Sequence, residues 1–144
     1  MFGPKELIFT APEHLPNEIA KGQFAKGIWV LALEEASGNS NTDFLKKVLS
    51  AAQLDLERDT LFAIIPEGMP IDMAASLRIK PATHVLVFGI SPTQLGLHVE
   101  ARPFQPFSFY GTTWLFADAL SALEPDKTKK GLLWTALKSM FLIN

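Results

Sequence analysis

Three histidines, one pair of adjacent glutamates and one glycine–serine–proline turn are the residues whose types are best suited to chemistry in this chain. His14, His84 and His98 lie far apart and never at the short spacing of metal ligands. There is no cysteine, which removes disulfides, thiolate nucleophiles and sulfur-ligated zinc. Glu34 and Glu35 follow an apolar run, where an α/β enzyme could hold an acid; beside Ala36 to Ser40 they read as a solvated strand end. Gly89-Ile90-Ser91-Pro92 lacks the further glycines and the lysine of a phosphate-binding loop. No serine is flanked by glycine two residues away on both sides, so there is no nucleophile elbow. His84 opens an apolar run and reads as a hydrogen-bonded structural histidine. The residues therefore predict no catalytic centre, no metal site and no cofactor.

Two further groups suit binding rather than bond making. Lys127, Lys129 and Lys130 cluster at a helix start, the unfavourable end for positive charge, and read as a solvated turn or a contact for an acidic partner. The segment 104–114 is dense in aromatics. Pro103 and Pro106 remove backbone donors and hold it at a sheet edge. Phe104, Phe107, Phe109, Tyr110 and Trp114 are the predicted partner-binding residues, because interface cores favour such side chains. The competing expectation is that all five fill the core beneath the last two helices.

The elements that must carry these residues follow from apolar patterning. Ile28 to Leu33, Leu61 to Ile65 and His84 to Phe88 are nearly continuous apolar runs. Such runs read as strands buried on both faces, and all three are expected at the centre of a parallel sheet. Between the first two, Asn41 or Thr42 is expected to cap a helix whose apolar stripe is Phe44, Leu45, Val48, Leu49 and Ala52. Asp55 to Thr60 is a charged connection, and Asp72 to Lys80 a short helix. Leu97 to Ala101 is expected as an edge strand, and a short strand is possible around Phe107 and Phe109. Thr112 or Thr113 is expected to cap a helix running to Leu123. A last helix starts near Asp126, with Leu133, Trp134, Leu137, Met140 and Phe141 on its apolar side. Residues 1–26 form an arm lying on the domain or on a partner, with Leu7 to Phe9 a possible short strand and Asn17 to Lys21 a possible helical turn. Residues 27–144 form one α/β domain.

Composition limits the function. The chain has 144 residues, 48% hydrophobic and 19% charged, enough for one domain with a substantial core. A net charge of −2 gives no concentrated basic surface for duplex DNA. No apolar stretch is long enough for a bilayer span, and the first residues lack the order of a secretory signal, so a cytoplasmic, non-membrane protein is expected.

The strand ending Val85 to Gly89 (VLVFG) and the pattern Leu120 to Leu137 (LSALEPDKTKKGLLWTAL) resemble the psi subunit family of the bacterial DNA polymerase III clamp-loader assembly. The similarity covers roughly residues 27–141. It implies a three-layer α/β/α sandwich of the uracil-DNA-glycosylase type, with a mainly parallel central sheet of about four to five strands. It also implies a non-catalytic, protein-interaction role among replication subunits. A degenerate or unusual glycosylase-like repair enzyme is the alternative, and a small-ligand-binding α/β protein the third. A glycosylase needs a water-orienting acid or amide and a histidine near the flipped base. Here only Glu34 and Glu35 occupy the first position, and Ser91 has no histidine before it.

Overall fold

The computed structural model describes residues 15–36, 39–109 and 111–141. Its centre is β1, Ile28–Leu33, which pairs in parallel with β2, Thr60–Ile65, on one side and with β3, His84–Phe88, on the other. β1 takes this place because it is apolar in both directions. Ile28, Val30 and Ala32 enter one core and Trp29 and Leu31 the other, and all five are buried. Beyond β3 lies β5, Thr112–Ala117, also parallel, and then the three-residue β4, Phe107–Phe109, antiparallel to β5. The order is β2-β1-β3-β5-β4, a five-stranded, mostly parallel sheet, as the α/β expectation required.

Three expected elements differ. Thr112 and Thr113 do not cap a helix, because Thr112–Ala117 is a buried strand. The threonines instead tie the start of β5 to the residues before β3: Thr112 donates its hydroxyl to the Ala82 carbonyl at 2.9 Å, and the Thr113 main-chain amide donates to the Thr83 carbonyl at 3.0 Å. Leu97 to Ala101 pairs with nothing as a strand. It crosses one face of the sheet in an irregular path, turning Leu97, Val99 and Ala101 inward, so its alternation reflects cover and not pairing. β2 is an outer strand among the described residues rather than a central one. Its Ile64 remains 42% exposed, and among the described residues no helix covers it.

The helices make two unequal layers. On one face lie α1, Asn39–Ala51, the single turn α4, Leu120–Leu123, and α5, Lys127–Phe141. Phe44, Leu45, Leu49, Leu120, Leu123, Leu133 and Leu137 seal this face. The other face is covered by α3, Met73–Ile79, a 3-10 turn over Thr93–Leu95 and the irregular chain that follows it. α3 falls within the expected short helix and is capped by Asp72, which accepts from the Ala75 amide at 2.9 Å. α1 begins at Asn39, ahead of both expected caps. The charged connection contains another turn, α2, Leu56–Asp59, capped by Asp55, which accepts from the amides of Glu57 and Arg58.

The expected strand at Leu7 to Phe9 lies outside the described residues. Pro16–Glu18 form a 3-10 turn, and residues 20–26 then run along β2. Lys21 and Phe62 exchange both main-chain bonds, at 2.9 and 2.8 Å, in an isolated antiparallel bridge. Gly22 permits this approach. With φ of +135°, a Cβ there would stand 2.0 Å from the Thr60 carbonyl oxygen.

Candidate functional site

In an open α/β sheet, ligands bind beyond the carboxyl ends of the strands, where the winding reverses. Here that point lies between β1 and β3, since the chain goes from β1 outward to β2 and then back across to β3. The residues at the strand ends are Leu33, Glu34, Glu35 and Gly89. Gly89, with φ of +80°, leaves the sheet so tightly that a Cβ there would come 2.9 Å from the Cβ of Ala119 and 3.2 Å from that of Leu33. Its amide donates to the Ala117 carbonyl at 2.9 Å. Ala119 and Leu33 therefore close in on the end of β3, while a cavity of about 140 Å³ lined by Leu33, Glu34, Glu35, Asn41 and Leu120 lies at the end of β1.

Glu35, the acid best placed for chemistry, is occupied. One carboxylate oxygen accepts from the Asn41 side-chain amide at 2.9 Å and from the Ser121 main-chain amide at 3.3 Å, and the other accepts a short bond from the Ser121 hydroxyl. A carboxylate at the first turn of α4 and beside α1 thus bridges two helices and the end of β1. Glu34 is exposed and its amide donates to Ile65 at 2.8 Å. An open depression of about 450 Å³ runs past Gly89, Ser91, Pro103 and Phe116. Its polar side chains are Ser91 and Asp118, and Asp118 pairs with Lys129 at 2.5 Å. That pair raises the Lys129 pKa above its ordinary value through the hydrogen bond and the charge of Asp118.

The histidines are not near this end. His84 lies at the amino end of β3, opposite the crevice, with Nδ1 2.8 Å from the Thr83 hydroxyl and its ring 4.4 Å from that of Phe141. Burial lowers its pKa, and a hydrogen bond to the Met140 backbone opposes this. His98 is exposed on the irregular cover. His14 lies outside the described residues. Among the described residues no group of three or more potential ligands is placed to hold a metal, and no helix is long and apolar enough to cross a membrane.

Of the predicted aromatic patch, the described residues divide between one buried ring and three partly exposed ones. Trp114 is 0% exposed, stacks near Phe116 at 6.2 Å and donates its indole N–H to the Phe109 carbonyl at 2.8 Å. It is a core residue. Phe107 lies parallel to Phe116 at 6.1 Å, and Phe109 leans on Trp114 at 6.5 Å. Phe104 adopts φ of +64° and donates its amide to Phe116 at 2.8 Å. All three are half-buried against the core. Tyr110 lies outside the described residues. The prolines do hold this segment at the rim, but the rings fold inward over β5.

Exposed large apolar side chains occur elsewhere: Ile19, Ile64, Ile79 and Leu132. Two of them, Ile19 and Ile64, line the same groove of about 740 Å³, with Phe62 and Leu56 deeper and Lys21 and Lys46 at its rim. This groove runs beside the outer edge of β2. Sequence reasoning missed it because Leu61 to Ile65 reads as buried on both faces; Ile64 would be buried if a helix extended over it. No protein-family model matches this chain, and no curated protein matches it either.

Proposed function

We propose that the chain is a non-catalytic protein-interaction subunit, of the kind that its resemblance to the clamp-loader psi family implies. The observation that carries this reading is the state of the switch point. Its one well-placed acid, Glu35, is spent on tying α1 and α4 to β1, while open apolar surface lies at the edge of the sheet. The mostly parallel sheet and the helices after β5 also agree with the architecture that the resemblance implies. The glycosylase-like alternative is the weaker reading, because His84 and Glu35 stand at opposite ends of the sheet and cannot act on one base.

The test is affinity purification of the tagged chain, expressed at its natural level, with mass spectrometry of what accompanies it. Clamp-loader subunits are the expected companions. Their repeated absence under conditions that preserve the replicase overturns the psi-like assignment.

A further inference from the structure

The outer edge of β2 carries an interrupted strand pairing. Residues alternate along a parallel strand in which neighbour they bond, and Ile65 bonds toward β1 through the Glu34 amide. Phe62 therefore faces outward and exchanges both its bonds with Lys21. Ile64, two residues on, turns its N–H and C=O the same way, and among the described residues no main chain meets them. Antiparallel register would set Ile19 opposite Ile64. Ile19 is unavailable because its amide, at 3.1 Å, and that of Ala20, at 2.9 Å, donate to the Pro16 carbonyl in the 3-10 turn. The chain leaves the edge one residue pair too early. What remains is a donor, an acceptor and two exposed isoleucines, Ile19 at 46% and Ile64 at 42%, around one groove.

We infer that this groove receives an extended peptide segment of a partner protein, with an aliphatic side chain flanked by acidic ones. An extended main chain is the occupant that can satisfy the N–H and C=O of Ile64 together, by adding to the sheet edge. An aliphatic side chain fits because the floor is Leu56, Phe62 and the two isoleucines. Acidic flanks fit because Lys21 and Lys46 stand on the rim. Among the described lining residues the one acid, Glu57, is 82% exposed and 3.9 Å from Lys46, too loose and solvated to neutralise it. The inference rests on the interaction-subunit reading and gives it a surface.

The probe is a displayed library of eight-residue peptides selected on the full chain. Selected peptides are expected to carry an aliphatic residue beside Asp or Glu and to slow exchange of the Ile64 amide. They should bind at least tenfold more weakly to Ile64→Lys and several-fold more weakly to Lys21→Glu. Ile79→Lys, a change at an exposed isoleucine outside the groove, should leave affinity unchanged, and thermal melts should show all three variants folded. Amide exchange on the unaltered chain keeps the test decisive if Ile64→Lys fails to fold. Failure to select any peptide, or peptides indifferent to Ile64, overturns the inference. A dimer in sedimentation that Ile64→Lys dissolves makes a second copy the occupant and also overturns it. So does an Ile64 amide already protected in the free chain and released by Leu7→Asp, which makes the chain its own occupant. Recovery of clamp-loader subunits by a folded Ile64→Lys chain would sink the surface and leave the function standing. Peptide binding without those subunits would do the reverse.

Discussion

Glu35 shows how a residue suited to catalysis is taken up by structure. Replacing it with alanine leaves the buried Asn41 amide and the Ser121 donors without their acceptor, at a cost of about 1–3 kcal/mol. Urea unfolding is expected to show that loss, while a uracil-excision assay is expected to read zero for both the natural chain and the variant. Gly89→Ala should cost a similar amount, about 1–3 kcal/mol, because the added methyl meets Ala119 and the positive φ disfavours it. His84 gives a pH dependence whose sign follows from burial. Its folded pKa lies below the ordinary 6.5, so the unfolded chain binds more protons between the two values. The stability is present above about pH 6.5 and lost as pH falls through the folded value. Urea midpoints at pH 7.5, 6.5 and 5.5 are expected to fall, and to fall less in His84→Gln. Asp59 acts in a lower window: the Arg58 hydrogen bond lowers its pKa below 3.8, so its contribution disappears only in stronger acid. At this scale, Glu35 was visible in the sequence as a strand-end acid, but Ser121 was not visible as its partner. No local pattern announces a contact across 86 positions.

At the scale of elements, the runs at Ile28, Leu61 and His84 were legible because two apolar faces and helix-length separations leave few alternatives to a parallel sheet. β5 was not legible. Thr112 and Thr113 before Trp114, Leu115 and Phe116 match a capped helix as well as a β-rich strand, and six residues are too few for periodicity to decide. Position in the sheet was legible only where both sides are filled, which is why β2 looked central. The reassignment of Trp114 has a direct test. Trp114→Ala is expected to lower stability by about 3–5 kcal/mol, as for a large core side chain. Loss of partner binding by a variant of unchanged stability would restore it to the surface.

Across the whole molecule, the two edges of the sheet are finished differently. β4 is three residues long and follows Pro103 and Pro106, so it offers little to a passing strand. β2 is partly covered by residues 20–26, held by main-chain bonds from Lys21 and Phe24 to β2 and from Gln23, Ala25 and Lys26 to α2, with Gly22 permitting the close approach. Gly22→Ala should loosen that cover alone: amides of Lys21 and Gln23 should exchange faster while those of β1 keep their protection. The tie between Glu35 and Ser121 has a consequence of another kind, in the order of manufacture. Translation delivers the amino end first, and β1, β2 and β3 are synthesised before Leu120 has been added. A nascent chain stopped there carries the centre of the sheet and α1 but neither α4 nor α5, so the core around Leu86, Phe88 and Leu115 lacks part of its cover and Glu35 has no serine to hold. The segment from Leu120 to Phe141 therefore supplies the fastening as well as part of the cover of this face, and a force applied from that side is expected to remove both before it reaches the first strand.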